Sequence, residues 1–205
     1  MQFEPGDRRR RLPRHLRVPE PDPGTFSFTI RPATLRDLPD VREIYNHYVA
    51  NSVVTFDEKR STHRYWREKF AMLTKLKLPF LVAVTPSNQV IGYALVQPWA
   101  SKSAYRYTVE DSIYLGPGAG GKGLGSALLQ ALIAACEEIG LREIVAVISD
   151  SGAEPSIRLH AKFGFVEVGR MGRVGFKFGR SLGTVYLQKS LTPKNRRGLF
   201  PSRHR

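Results

Sequence analysis

The chain has 205 residues, 41% of them hydrophobic, and a formal net charge of +14. This length supports one domain with a sizeable core, and no apolar run has the roughly 18 residues that a membrane helix needs. No apolar signal-peptide core lies near the start, so we expect a cytoplasmic protein without membrane contact. The single cysteine, Cys136, excludes a disulfide framework and is read as a buried thiol.

Both ends of the sequence are basic and lack apolar periodicity. Residues 1–25 hold six arginines against four acidic residues, and residues 192–205 hold five basic residues and no acidic one. We expect both segments to be disordered tails. The arginine run at 8–11 could contact nucleic acid or an anionic surface, although a solvated extension is the interpretation we favour.

The segment between the tails, 26–191, is predicted to form one α/β domain. Thr34 and Asp37 are spaced like a capping box at the start of the first helix. In chain order, the predicted elements are a strand at 26–31, a helix reaching residue 51, a helix at 62–75, strands at 80–85, 90–97 and 105–115, a helix ending at 140, a strand at 143–149, a short helix beginning near 155 and ending at 164, and strands at 166–174 and 184–190. This order is mixed and differs from a doubly wound Rossmann layout.

The most informative segment is the glycine-dense turn that follows the predicted strand at 105–115. It reads Gly116-Pro-Gly-Ala-Gly-Gly-Lys-Gly-Leu-Gly125 and leads into an amphipathic helix. Glycines let a ligand approach the backbone, and free N–H groups at a helix start attract anions, so the turn is a candidate phosphate cradle. The alternative is a flexible loop. Neither the Walker pattern nor the dinucleotide fingerprint fits, because the following Lys-Ser/Thr and the acidic ribose-binding residue are both missing.

The sub-pattern at 120–125 resembles the R/Q-x-x-G-x-G/A loop by which GNAT acyltransferases hold the pyrophosphate of acetyl-CoA. Five further strings resemble the branch that N-acetylates phosphinothricin and methionine sulfoximine. They are Ile30-Arg31-Pro32-Ala33, Ile44-Tyr45-Asn46-His47-Tyr48, Tyr105-Arg106 with Thr108-Val109-Glu110, Ser156-Ile157-Arg158-Leu159-His160, and Gly175-Phe176-Lys177-Phe178-Gly179. The resemblance implies a GNAT fold, in which helices flank a mixed central sheet that splays between strands 4 and 5. It also implies acetyl-CoA as co-substrate, no metal, and a homodimer.

The same resemblance implies how acetyl-CoA is held. Backbone groups of Ile113 and Leu115 would bind the pantetheine arm as a strand adds to a sheet edge. Ser156 would contribute a hydroxyl contact or simply cap its helix. The pyrophosphate would lie on residues of the loop and the helix start, namely Gly120, Gly121, Lys122, Gly123, Gly125 and Ser126. Gly120 replaces the Arg or Gln of the family, and Ala153 replaces an Asn, so weaker CoA binding is expected.

Two residues are candidates for proton transfer. Glu110 corresponds to the catalytic glutamate of the family and would take a proton from the substrate ammonium, unless it is a strand carboxylate paired with an arginine. His160 lies where many acetyltransferases carry a proton-donating Tyr, and its alternative role is packing and orienting CoA. Asp111 follows Glu110 on the strand and points to the opposite face, so it is not expected to share the role of Glu110.

Candidate substrate contacts lie before Glu110 and near the C-terminal end of the domain. Arg106 and Thr108 would share the strand face of Glu110, and Arg106 would hold a substrate carboxylate in a two-pronged bond, or be a solvated arginine. Phe56 resembles an aromatic wall of the pocket, although it could be plain core. Lys177 and Phe178 match a segment that reaches the partner's pocket across the dimer interface in similar enzymes, with a surface charge as the alternative for Lys177.

Three functions remain open from the sequence. The leading hypothesis is acetyl transfer from acetyl-CoA to the amine of a small amino-acid-like acceptor of the phosphinothricin or methionine sulfoximine type. The second is acetylation of a protein or ribosomal amine, with the basic tails docking on RNA. The third is a CoA- or RNA-binding module that has lost catalysis. Glu110 and Arg106 favour the first, whereas Gly120, Ala153 and the tails favour the others weakly.

Overall fold

The computed structural model describes residues 26–192, so the tail predicted at 1–25 and all of the tail predicted at 192–205 except Thr192 lie outside this range. The described chain forms a seven-stranded sheet and four α-helices, in the predicted order. The strands are β1 Thr29–Pro32, β2 Phe80–Val84, β3 Val90–Pro98, β4 Thr108–Leu115, β5 Glu143–Ser149, β6 Val166–Lys177 and β7 Arg180–Ser190. The helices are α1 Leu38–Asn51, α2 His63–Lys75, α3 Leu124–Glu138 and α4 Glu154–Lys162.

The sheet has the strand order β1-β2-β3-β4-β5-β7-β6 and is antiparallel except where β4 pairs with β5. That parallel pairing covers only Thr108–Glu110 against Glu143–Val145. Beyond it the two strands separate, while β4 continues to pair with β3 as far as Leu115. The mixed sheet splayed between its fourth and fifth strands is therefore confirmed.

Helices cover both faces of the sheet because the strands place apolar side chains alternately on each face. Val82, Tyr93 and Leu95 pack with α1 and α2 in one core cluster. Ala83 and Ala94, their neighbours along the strands, pack with α3 in the other. Cys136 is fully buried there, and burial raises the pKa of its thiol, which fits a structural role.

The first helical segment is fixed by a buried acidic cap. Asp37 accepts hydrogen bonds from the backbone N–H and the hydroxyl of Thr34, and it forms a two-pronged ion pair with Arg31. The Arg31 hydrogen bond outweighs burial and lowers the pKa of Asp37 to about 2. The predicted capping box is present, but it opens a 3-10 turn, Leu35–Asp37, and α1 follows at Leu38.

Strand β4 begins three residues later than predicted. Residues Ser103–Tyr105 form a 3-10 helix, and Arg106 caps it with helical backbone angles. Arg106 is therefore not on the strand that carries Glu110, and the prediction that the two share a strand face is wrong. No helix within 26–192 is long and apolar enough to cross a bilayer.

The hairpin of β6 and β7 is longer than predicted and turns at Phe178 and Gly179. Both residues have positive φ, 51° and 74°, the pair of angles that a two-residue hairpin turn requires. The outer strand β6 lacks a neighbour on its other side among the described residues. Large apolar side chains on this hairpin are each more than half exposed: Val166, Val168, Val174, Phe176 and Phe178.

Candidate active site

A cavity of about 640 Å³ passes through the gap where β4 and β5 separate. On one side of the sheet it is lined by residues of α1 and α2, and on the other by residues of α4. Glu110 and Asp111 leave β4 on opposite faces, yet both line this cavity because it extends through the sheet. The splay thus brings two carboxylates of opposite strand faces to one site.

Glu110 is half-buried on the α1–α2 side. Burial raises the pKa of its carboxyl group, and a hydrogen bond from Gln97 only partly offsets this effect. The Gln97 amide nitrogen lies 3.4 Å from Glu110 Oε2, and its oxygen accepts a 3.1 Å hydrogen bond from Lys69. A carboxylate with a raised pKa is a better proton acceptor than an exposed glutamate at neutral pH.

Asp111 is buried and forms an ion pair with His160 of α4, with 3.0 Å between Asp111 Oδ2 and His160 Nε2. The other ring nitrogen, Nδ1, lies 2.8 Å from the carbonyl oxygen of Ser156. Because a carbonyl only accepts, Nδ1 carries a hydrogen, and a second hydrogen lies between Nε2 and Asp111. Burial opposes a charged imidazole, but the hydrogen bond and charge of Asp111 outweigh it and raise the pKa of His160.

Asp111 lines the cavity, although it is not expected to share the role of Glu110. Its side chain does point away from Glu110, as the strand alternation predicts. The sequence pattern could not show that α4 returns to this face and places His160 against it, 49 positions along the chain. Asp111 Oδ1 is buried and has no hydrogen-bond partner among the described residues.

The glycine loop has the backbone conformation of a cradle. Gly121 and Gly123 have φ of 74° and 79°, which other residues rarely adopt, and α3 begins directly after Gly123. A Cβ added at Gly120, Gly121 or Gly123 would meet nothing within 4 Å, so one side of this backbone is open. The first N–H groups of the 15-residue helix α3 have no partner within the helix, and groups of this kind attract anions.

The remaining predicted acetyl-CoA contacts lie around this loop. Ile113, Leu115, Gly125 and Ser156 line the cavity, and the Leu115 carbonyl already accepts a 2.8 Å hydrogen bond from the Tyr48 hydroxyl. Ser126 is half-buried in the first turn of α3. The ammonium group of Lys122 lies 4.6 Å from the centre of the Phe26 ring, so at this position it faces an aromatic side chain. Four of the predicted acetyl-CoA contacts therefore line one cavity, whereas Lys122 lies outside its lining.

An aromatic wall closes the α1–α2 side of the cavity. Its members are dispersed along the sequence and meet only in the folded chain. They are Tyr45, Tyr48, Tyr65, Trp66, Tyr93 and Tyr114. Phe56 belongs to the same lining, and a Cβ at Gly175 would lie 2.5 Å from its ring. Phe56 therefore connects the cavity with the β6–β7 hairpin, and the glycine leaves room for it.

The predicted substrate residues at the ends of the site are dispersed. Arg106 is exposed, donates to the Ser103 carbonyl and stacks on Tyr107, outside the cavity lining. Thr108 is half-buried at the start of β4 and is also outside the lining. Phe178 is exposed at the hairpin turn.

Lys177 is not a surface charge. Its side chain is buried and its ammonium group donates 2.8 Å hydrogen bonds to the carbonyl oxygens of Ser52 and Thr55. Burial lowers the pKa of this lysine, and the two carbonyls compensate for the lost water. Lys177 therefore fixes the segment that leads to Phe56. Across residues 26–192, no three His, Cys, Asp or Glu side chains gather as a metal site would require.

Comparison with known proteins found similarity over most of the chain. Residues 40–165 match the family described as Acetyltransferase (GNAT) family. The chain is 40% identical to the phosphinothricin N-acetyltransferase of Alcaligenes faecalis over 163 residues, which cover 80% of this chain and 82% of the relative. It is 39% identical to the L-methionine sulfoximine/L-methionine sulfone acetyltransferase of Pseudomonas aeruginosa over 168 residues, covering 82% and 97%.

A solved structure is similar over the same region. The phosphinothricin acetyltransferase of Sinorhizobium meliloti, in complex with acetyl-CoA, superposes with a TM-score of 0.77 at 41% identity. The match covers 83% of this chain and 90% of that one.

Proposed function

The chain belongs to the GNAT family and is an acetyl-CoA-dependent N-acetyltransferase, and we propose that its acceptor is a small amino acid of the phosphinothricin or methionine sulfoximine type. The observation that carries the proposal is the meeting of Glu110 and the Asp111–His160 pair along one gap in the sheet. A group that takes a proton and a group that gives one thus flank the space where the acetyl group would be transferred.

Glu110 is the proposed general base. The acceptor enters as an ammonium ion and must lose a proton before its nitrogen can attack the thioester carbonyl. Glu110 takes that proton directly or through water, and its pKa, raised by burial, brings its basicity closer to that of the amine. Gln97 holds the carboxylate in place through its amide N–H.

His160 is the proposed acid, and Asp111 is the residue that keeps it protonated. As the nitrogen–carbon bond forms and the carbon–sulfur bond breaks, the departing thiolate of CoA needs a proton. His160 holds one beside Asp111 and lies in the lining of the cavity. Both ring N–H groups are hydrogen-bonded, Nδ1 to the Ser156 carbonyl and Nε2 to Asp111, so the thiolate would have to displace Asp111 from the Nε2 proton in order to receive it.

The glycine loop is the proposed pyrophosphate site, with N–H groups of residues 120–126 as donors. Side-chain charge is a small part of this cradle, because Gly120 has no side chain and Lys122 faces Phe26. Ile113 and Leu115 on β4 are the proposed contacts of the pantetheine arm, since β5 leaves that part of the strand without a parallel neighbour.

A homodimer and a cytoplasmic location complete the proposal. The exposed apolar side chains of the β6–β7 hairpin would be covered by a second copy of the chain, as expected for an apolar surface of this kind. Phe178 at its tip would then approach the partner's pocket.

The test is a product analysis. Purified protein is incubated with acetyl-CoA and either phosphinothricin or L-methionine sulfoximine, and free thiol and product mass are measured together. We expect one equivalent of CoA thiol for each N-acetylated amino acid. Thiol release at the rate of enzyme-free hydrolysis, with both acceptors, would contradict the proposal.

A further inference from the structure

The acceptor side of the cavity contains one basic side chain that no part of the proposed chemistry uses. Among residues 26–192, Lys69 of α2 is the only lysine or arginine in the cavity lining. His160, the other basic group in the lining, is neutralised by its pair with Asp111. Arg106, expected from the sequence to bind a carboxylate, is directed to Ser103 and Tyr107 instead.

Lys69 is held in a defined position. Its ammonium group lies 5.2 Å from the centre of the Tyr65 ring and 5.7 Å from that of Trp66, so aromatic faces support it on one side. It donates one hydrogen bond, of 3.1 Å, to the Gln97 amide oxygen. An ammonium group has three donor hydrogens, so Lys69 can bind a further acceptor.

The hydrogen-bonding chemistry of Lys69 and Glu110 fixes the orientation of the Gln97 side-chain amide. Lys69 can only donate and an ionised Glu110 can only accept, so the amide oxygen faces Lys69 and the amide N–H faces Glu110. The cavity wall therefore has a positive end at Lys69 and a negative end at Glu110, with the two groups joined by a single side-chain amide.

An α-amino acid has the complementary arrangement. Its carboxylate accepts hydrogen bonds and its ammonium group donates them. The α-carbon and the carboxyl carbon separate the ammonium nitrogen from the carboxylate oxygens, a span similar to that between the nitrogen and the oxygen of an amide. We propose that Lys69 binds the α-carboxylate of the acceptor and thereby directs its amine toward Glu110. This inference rests on the proposed function and identifies the residue of this chain that selects carboxylate-bearing amines.

The proposal predicts a selective loss in Lys69→Met, which keeps the aliphatic stem on the aromatic wall and removes the charge. The substrates are L-methionine sulfoximine and its methyl ester, which lacks the anionic carboxylate. We expect kcat/KM for the acid to fall about 10- to 100-fold, mainly through KM, since a hydrogen bond to a charged group is lost. The value for the ester should change less than about threefold, and Lys69→Arg should recover most of the activity on the acid.

Two features make the comparison specific. Lys69 also lowers the pKa of Glu110 slightly through its charge, but that effect applies to both substrates and cancels in the acid-to-ester ratio. Arg67→Met is the matched control, because it removes an exposed cation from the same helix two residues away, on another helix face and outside the cavity. It should leave the acid-to-ester ratio unchanged.

The inference and the proposed function fail in different ways. Equal losses on acid and ester in Lys69→Met, or equal use of acid and ester by the wild type, would overturn the inference and leave the acetyltransferase intact. If the wild type released no CoA with either acceptor, the proposed function would be contradicted. Calorimetric binding of L-methionine sulfoximine would then decide the inference by itself. At least tenfold weaker binding in Lys69→Met supports it, and equal or absent binding in both proteins overturns it.

Discussion

Glu110 and Asp111 are adjacent on β4 and face different surroundings. Glu110 lies on the side of the aromatic wall, half-buried and held by Gln97. Asp111 lies on the side of α4, buried against His160. One strand thus supplies a carboxylate that can accept a proton and another that keeps a neighbouring imidazole protonated, and the splay of β4 from β5 lets one cavity reach both.

At this scale, Glu110→Gln should lower kcat about 10²- to 10⁴-fold and change KM little, because the side chain keeps its shape and loses its basicity. The deficit should shrink as the pH is raised and the acceptor loses its proton without help. Steady-state rates between pH 6 and 10 measure both effects. Wild-type turnover in the variant at neutral pH would exclude Glu110 as the base.

The Asp111–His160 pair predicts a pH-dependent stability. The folded pKa of His160 is raised, so the stabilisation is complete below the unfolded pKa of about 6.5 and is lost as the pH rises through the folded value. Each pH unit between the two pKa values corresponds to about 1.4 kcal/mol in the free energy of unfolding. Urea unfolding from pH 5.5 to 9 should show this decline in the wild type and not in Asp111→Asn.

His47→Gln is the control for that measurement, because His47 is exposed on α1 and away from the pair. It should preserve the decline of the wild type. A parallel decline in Asp111→Asn would show that the pair is not its source.

At the scale of elements, local sequence patterns predict a helix or turn correctly where its own residues determine the structure. The helices followed apolar periodicity, and the Thr34–Asp37 pattern marked the first helical turn. The strand bearing Glu110 was predicted too long because Tyr105-Arg106-Tyr107 has the composition of a strand, whereas residues 103–105 form a 3-10 turn. Arg106 was misplaced for that reason.

The buried cap at the start of the helical region should stabilise the fold measurably. Asp37→Ala should lower the free energy of unfolding by about 1–2 kcal/mol, because the pair with the partly exposed Arg31 is lost together with the cap. Since its folded pKa is lowered to about 2, the wild type should lose this contribution as the pH falls from about 4 toward 2. Asp40→Ala, at an exposed position of α1, should cost less than about 0.5 kcal/mol in the same urea titrations.

The glycine loop gives a second prediction at this scale. Gly123→Val should weaken acetyl-CoA binding at least about tenfold, because a β-branched residue does not tolerate φ of 79°. Gly169→Ala, on β6 and outside the loop, should bind within about twofold of the wild type, since its φ is not positive and its Cβ meets open space. Calorimetric titration with acetyl-CoA distinguishes them. Equal affinities in the two variants would remove the loop as the pyrophosphate site.

At the scale of the whole molecule, the sequence could not show the contacts between segments that are distant along the chain. Lys177 is buried although lysine is rarely so, because carbonyls of Ser52 and Thr55, more than 120 positions away, accept its hydrogen bonds. Lys69 enters the cavity for a similar reason, since α2 packs over β3 and presents it to Gln97. The strings that resemble the family predict the fold correctly, whereas these contacts required the assembled chain.

The exposed hairpin predicts the oligomeric state. Light scattering on the wild type should give twice the 23.1 kDa of the chain, and Phe176→Glu should give the monomer, because Phe176 is 65% exposed on β6 within an apolar surface. Leu35→Glu changes another exposed apolar residue, which is 56% exposed on a different surface, and this variant should remain a dimer. A monomeric wild type at micromolar concentration would contradict the proposed interface.

The central claim is that one gap in the sheet joins an acetyl-CoA site to a site for a small amino acid. Coupled measurement of CoA thiol and product mass with L-methionine sulfoximine tests it most directly. We expect saturable release of one thiol per N-acetyl-methionine sulfoximine, at a rate reduced at least about 100-fold in Glu110→Gln at neutral pH. Folded protein that binds acetyl-CoA but acetylates neither this amino acid nor phosphinothricin would contradict it.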